Sequence, residues 1–120
     1  MNVEEVCAYC LAKKGVEESF PFGETTMVLK VMGKIFALVP LDVDVQTINL
    51  KCDPERAIEL REEHPDDVLP GYHMNKKHWN TVHCEGGLSN KLLQELIDHS
   101  YDLVVESLPK KLKVELEGLE

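Results

Sequence analysis

The chain has 120 residues, of which 43% are apolar and 29% are charged, and its formal net charge is −9. This size and composition suffice to bury one hydrophobic core, so we expect a single domain over residues 1–120. No apolar run approaches the roughly 20 residues that cross a bilayer, and the N-terminus lacks the basic and apolar regions of a signal peptide. We therefore expect a cytoplasmic protein without a membrane partner, whose four cysteines stay reduced.

The first predicted element is a helix over residues 3–14. Asn2 and Glu5 have the spacing of a capping box, and apolar residues then recur at helical intervals. Cys7 and Cys10 have the two-residue gap of redox and zinc motifs, but they lie within the helix and no second pair of suitable spacing follows. Because free cysteines are most often buried, we expect both in the core and no metal site.

Alternation with period two begins at Thr25 and predicts three consecutive strands. The first ends at a turn over residues 33–34, and the second covers residues 35–40. The third covers residues 47–52, after an acidic loop at 41–44. Short links between consecutive strands are typical of an antiparallel meander.

A second helix is predicted over residues 54–63, because Asp53 can cap its free N–H groups and a proline follows. Proline and glycine then end that helix. A second hairpin follows, with strands over residues 72–74 and 78–84 joined by a turn at 75–77. This hairpin contains the one tryptophan of the chain, Trp79.

The last predicted elements are a long amphipathic helix and a short one. Ser89 caps the long helix, which runs to about Glu106, and the short helix covers residues 109–116. The predicted element order is therefore α-βββ-α-ββ-α plus a short C-terminal helix, an α+β fold.

Five segments of the chain resemble the MmcQ/YjbR family of small proteins in their order and spacing. These segments are 21–23 (Pro-Phe-Gly), 30–38 (Lys-Val-Met-Gly-Lys-Ile-Phe-Ala-Leu), 70–82, Ser100-Tyr101 and 108–111 (Leu-Pro-Lys-Lys). The resemblance covers nearly the whole chain. It implies a two-layer α+β fold, in which helices pack on one face of a five-stranded antiparallel sheet with a secretion-chaperone-like topology. For Phe22 and Gly23 we expect a turn whose aromatic ring forms a lid on the core.

Basic charge is concentrated in three segments without Asp or Glu, residues 25–41, 45–52 and 68–84. Their lysines are Lys30, Lys34, Lys51, Lys76 and Lys77. The family resemblance implies DNA binding by two hairpin wings, in which these lysines meet phosphates while Tyr72, His78 or Trp79 contacts sugar or base. The net charge of −9 opposes this hypothesis, since it repels nucleic acid at long range.

The alternative hypothesis is that the open face of the sheet binds a protein segment or another copy of the chain. Strands are poor in acidic residues in any case, and a single tryptophan is more often a packing anchor than a platform for a base. No nucleophile stands beside a base and no phosphate-binding glycine pattern occurs, so we expect neither enzymatic activity nor a cofactor.

Overall fold

In the computed structural model, which describes residues 1–71 and 74–119, one six-stranded antiparallel sheet combines with four helices. The helices are α1 (Val3–Leu11), α2 (Pro54–Glu63), α3 (Asn90–Glu106) and α4 (Lys110–Glu117). The strands are β1 (Val16–Ser19), β2 (Thr26–Val31), β3 (Lys34–Pro40), β4 (Thr47–Lys51), β5 (Val68–Pro70) and β6 (Trp79–His83). Within these described residues, no helix is both long and apolar enough to cross a bilayer.

The three predicted helix caps are confirmed. The Asn2 side chain accepts a hydrogen bond from Glu5 N at 2.8 Å, and Glu5 Oε1 accepts one from Asn2 N at 3.0 Å, which completes the capping box. Asp53 and Ser89 cap α2 and α3 through their side-chain oxygens. Helix α1 is shorter than predicted, because the chain leaves it after Leu11 and turns into β1.

The strands follow the order β1-β2-β3-β4-β6-β5, and every neighbouring pair is antiparallel. The turn between β2 and β3 is at Met32 and Gly33, one residue earlier than predicted. Both residues have positive φ angles, 50° and 87°, which is the backbone shape that two-residue hairpin turns require.

The expectation of five strands is wrong, because β1 was not predicted. Glu17 and Glu18 occupy its centre, and acidic residues have low β-propensity. The strand forms because it is at the edge of the sheet, where β2 supplies its hydrogen bonds and charged side chains reach solvent.

The second hairpin is also displaced from its predicted position. Its first strand is Val68–Pro70, before Gly71, whereas residues 72–74 were predicted; of these, Tyr72 and His73 lie outside the described residues. The sequence predicts that proline and glycine in this region only end helix α2. Proline is tolerated on an edge strand, however, and β5, which ends at Pro70, is at the sheet edge.

All four helices bury side chains in one core on the same side of the sheet. Contributors to that core include Val6 of α1, Leu60 of α2, Ile97 of α3 and Leu116 of α4. A smaller apolar cluster on the other side consists of Val28, Leu38 and Trp79, with Ile35 and Met74 packed against it. That smaller cluster contains no residue of the described helices, and we call this side of the sheet the open face.

Candidate functional site

A groove of about 610 Å³ lies on the open face. The strands supply six of its lining residues, namely Thr26, Leu38, Pro40, Thr47, Asn49 and Thr81. Loop residues Phe22, Val43 and Met74 complete the lining. None of these lining residues is charged, so the groove is suited to an uncharged and largely apolar group.

The polar groups of the groove come from alternate positions on adjacent strands. Asn49 is directly opposite Thr81, and Thr81 Oγ1 donates a hydrogen bond to Asn49 Oδ1 at 2.5 Å. Asn49 is also opposite Leu38 on its other side. Because paired residues of an antiparallel sheet point to the same face, these three side chains form a central line across the open face.

The groove is bordered by two exposed apolar loops. Phe22 is 67% exposed and Val43 is 44% exposed. The two loops are joined where Leu41 N donates to Thr25 O at 2.7 Å. The expectation that Phe22 forms a lid on the core is therefore wrong, because this ring borders the groove on the opposite side of the sheet from the main core.

Lysines are grouped at one end of the strands that form the open face. Lys51 is directly opposite Trp79, and Lys30 is opposite Ile35, so both lie on the face that holds the smaller apolar cluster. The turn that precedes β6 contains Lys76 and Lys77 and is bonded to the end of β4, since Cys52 N donates to His78 O at 2.7 Å. We call Lys30, Lys51, Lys76 and Lys77 the lysine end.

Lys34, the fifth predicted lysine, is not part of this group. Its Nζ donates to Ser107 O at 3.3 Å, which places it on the helical side of the sheet. An acid also lies at the lysine end, because Glu17 is directly opposite Lys30 in the β1–β2 pair.

Of the aromatic candidates, Trp79 is largely inaccessible. Trp79 is only 9% exposed, because its indole packs with Val28 and Leu38. His78 is half-buried, and Tyr72 lies outside the described residues. The exposed ring beside the groove is instead that of Phe22, which the sequence did not indicate as a binding residue.

Arg61 is a second residue that the sequence did not indicate. Its Nε donates to Asn80 Oδ1 at 2.7 Å, and its guanidinium also donates to Trp79 O at 3.2 Å and to Lys76 O. Helix α2 thereby holds the turn of the lysine end in place. In the sequence, Arg61 is the one basic residue among the acids of the last turn of α2. Helical periodicity does not show that its side chain reaches the sheet.

Acidic residues border the opposite end of the open face. Asp42 and Asp44 flank Val43, Glu24 follows the Phe22 loop, and all three acids are exposed. We call Glu24, Asp42 and Asp44 the acidic end. Charge on the open face is thus separated along the strand direction, and the neutral groove extends from the central line to the loops of the acidic end.

The cysteines do not contribute nucleophiles to this face. Burial raises the pKa of Cys10 to about 12, that of Cys84 to about 12 and that of Cys52 to about 11, so each stays a neutral thiol at physiological pH. Among residues 1–71 and 74–119, no three His, Cys, Asp or Glu side chains are grouped closely enough to hold a metal ion.

Comparison with known proteins relates the whole chain to bacterial proteins. It is 38% identical over 119 residues to the uncharacterised protein YjbR of Escherichia coli K12, which covers 97% of this chain and 100% of that protein. It is 44% identical over 96 residues to the uncharacterised protein YbdF of Escherichia coli O157:H7, covering 80% of this chain and 78% of that one.

Two crystal structures have the same fold. The Deinococcus radiodurans protein DR2400 matches with a TM-score of 0.91 and 39% identity, over 97% of this chain and 88% of that chain. A protein from Pseudomonas syringae matches with a TM-score of 0.71 and 29% identity, over 86% of this chain and 98% of that chain. The YjbR family model matches residues 11–103. On this match and on the identity to YjbR along nearly its full length, the chain belongs to the YjbR family.

Proposed function

We propose that this protein is a binding module whose open face holds a polypeptide segment, with the neutral groove as its main contact. The observation that supports this most directly is the groove itself. Its volume is about 610 Å³, its lining residues are uncharged, and they include the exposed Phe22 and Val43. Grooves that bind organic groups are typically about 300–1,000 Å³ and mostly apolar, with a few polar atoms that orient the ligand.

The chemistry of the groove suits a polypeptide. An apolar side chain of the ligand would displace water from Leu38, Pro40 and Met74, and burial of apolar surface favours binding. Hydroxyl and amide groups of Thr47 and Asn49 can exchange hydrogen bonds with a peptide backbone, which keeps its polar groups satisfied when they leave water.

Nucleic-acid binding is a second candidate, and the lysine end is the observation that favours it. Lys30 and Lys51 are on strands separated by β3 alone, and both lie on the open face. Because Trp79 is 9% exposed, little of its ring is available to stack on a base. The lysines would therefore supply most of the affinity, and binding would be weak and strongly dependent on salt.

Selection from a random peptide library tests the polypeptide proposal. Enriched peptides are labelled, and their affinity is measured by fluorescence anisotropy for the wild type, Phe22→Ala and Phe20→Ala. Phe20 is a matched control, because it is 43% exposed in the same loop but does not line the groove. We expect Phe22→Ala to weaken binding at least about tenfold, as the loss of a central aromatic contact does, and Phe20→Ala to leave it unchanged.

The same assay separates the two candidates. Labelled single-stranded and duplex DNA are titrated at low and physiological salt with the wild type and with the double variant Lys51→Gln, Lys77→Gln. DNA binding that this variant loses, together with no enrichment of peptides, would favour the nucleic-acid candidate over the polypeptide proposal. Enriched peptides that bind equally to Phe22→Ala would also contradict the polypeptide proposal.

A further inference from the structure

We infer that the polypeptide that docks on the open face is a second copy of this chain, turned so that the lysine end of each copy lies over the acidic end of the other. This inference rests on the proposed function, because it names the partner of the same surface. It depends on how charge is arranged around the groove, which the sequence alone did not reveal.

The two charged ends lie on opposite sides of the centre of the open face. Asn49 is on the central line, Lys51 is two residues further along β4, and Thr47 is two residues back towards the loop of Asp42 and Asp44. Two residues of a strand span about 7 Å, so Lys51 and Thr47 lie about that far on either side of Asn49, and the loop of Asp42 and Asp44 continues beyond Thr47.

A two-fold axis between two facing sheets, running across the strands, brings opposite charges together. Such an axis reverses the strand direction between the two copies, so Lys51 and Lys77 of one copy would face the loop of Asp42 and Asp44 of the other. Each attraction occurs twice, because the two halves of a two-fold interface are identical. Glu17, which is opposite Lys30, offsets part of the charge at the lysine end but does not reverse its sign.

The contents of such an interface match the anatomy of known ones. Its centre would hold the Leu38, Asn49 and Thr81 side chains of the groove, with Phe22 and Val43 towards the acidic end, and its rim would hold the charges. Protein interfaces typically combine an apolar centre with a polar rim, and complementary charges set the relative orientation of the partners. A standard interface buries about 800 Å² per partner. That is a small part of the 6946 Å² surface of this chain.

Charge reversal at each end tests the inference. The variant Lys51→Glu, Lys77→Glu has two acidic ends, and the variant Asp42→Lys, Asp44→Lys has two basic ends. Sedimentation equilibrium at low ionic strength measures the dimer dissociation constant of the wild type, of each variant and of their equimolar mixture. Circular dichroism checks that each variant is folded, and the exposed positions of Asp42 and Asp44 make the second variant the safer one.

We expect the wild type to dimerise and each reversal alone to raise the dissociation constant at least about tenfold, because like charges then meet twice. The equimolar mixture should regain wild-type affinity, since an acidic end again faces a basic end in the mixed pair. Added salt should weaken the wild-type dimer, because exposed charges are screened.

Two outcomes would overturn the inference. One is a wild type that stays monomeric up to about 1 mM, the range of very weak complexes. The other is a dimer whose affinity neither reversal changes, which would place the interface elsewhere. If the wild type is monomeric but library peptides bind at Phe22, the proposed function stands and the second copy is not its partner. If no peptide binds either, the proposed function fails as well.

Discussion

Replacement of Ser100 by alanine should destabilise the protein far more than the loss of one hydroxyl suggests. Ser100 is fully buried on α3, and its Oγ lies between β3 and β4. It accepts a hydrogen bond from Lys51 N at 2.9 Å and donates one to Phe36 O at 2.6 Å. Residues 37 and 38 of β3 pair directly with residues 50 and 49 of β4, so the serine hydroxyl bridges the strands where that direct pairing ends.

The size of the effect follows from the two backbone groups that the hydroxyl satisfies. Without it, Lys51 N–H and Phe36 C=O each lose the hydrogen-bond partner that the fully buried Ser100 hydroxyl supplies. An unsatisfied buried polar group costs about 1–3 kcal/mol, so Ser100→Ala should lower the free energy of unfolding by about 2–6 kcal/mol. A domain of this kind is typically stable by about 5–15 kcal/mol, so this loss is a large share of its total stability.

Urea denaturation followed by circular dichroism measures this difference. With a typical m-value of about 1.5 kcal/mol per molar urea, a loss of about 3 kcal/mol moves the midpoint down by about 2 M. Ser107→Ala is the matched control, because that hydroxyl donates to Val104 O at 2.7 Å at the exposed end of the same helix. We expect the control to lose about 1 kcal/mol or less.

A loss below about 1 kcal/mol for Ser100→Ala, equal to that of the control, would refute this reasoning. It would mean that the two strands close on each other and bond directly once the hydroxyl is gone. Amide hydrogen exchange at Lys51 distinguishes the two cases, since an orphaned N–H exchanges faster than one that has found a new strand partner.

Three further predictions concern the thiols, the half-buried His99 and the tryptophan. Burial and the nearby Glu18 raise the pKa of Cys7, but Cys7 is the one half-exposed thiol among the four. It should therefore react first with a thiol reagent at pH 8, and the other three thiols should react only on unfolding. Simultaneous reaction of all four thiols in the folded protein would contradict this. Burial, and then the charge of Arg56, lowers the pKa of His99, whose Nε2 accepts a hydrogen bond from Asp53 N at 3.2 Å. The unfolded state therefore binds a proton more readily, so the free energy of unfolding should fall as pH drops below 6.5 towards the lowered pKa. His99→Gln should reduce this fall. If the urea midpoints of the variant and the wild type change equally between pH 7.5 and 5.5, the prediction is wrong. Trp79→Ala should lower the free energy of unfolding by about 3–5 kcal/mol in the same assay, because it leaves a cavity in the smaller apolar cluster, and a loss below 1 kcal/mol would show that the indole is not packed there.

The helices were largely predictable from local chemistry. The capping side chains of Asn2, Asp53 and Ser89 bond to backbone groups within three residues, so the sequence nearby contains the information that positions these helix starts. Alternation likewise placed β2, β3 and β4 to within a residue or two, because one face of each strand is buried in the main core.

The edge strands were not predictable in the same way. Strand β1 has two glutamates at its centre and β5 ends in proline, and local propensity disfavours both sequences. Each becomes a strand because a neighbour, β2 or β6, offers unpaired backbone groups along its length. Those partners are at least several residues away in the chain, and propensity contains no information about them.

For the candidate site, the sequence shows which residues are basic and which segments lack acids, but it does not show which of these residues lie close together in the fold. The five lysines were predicted as one set, yet Lys34 bonds to the end of α3, while Lys30 and Lys51 share the open face. The groove likewise joins side chains of four strands that no sequence spacing connects. Hydrophobic periodicity and helix capping act over a few residues, so both can be deduced from sequence. Which charged side chains lie together on one face of the sheet depends instead on strand order and register.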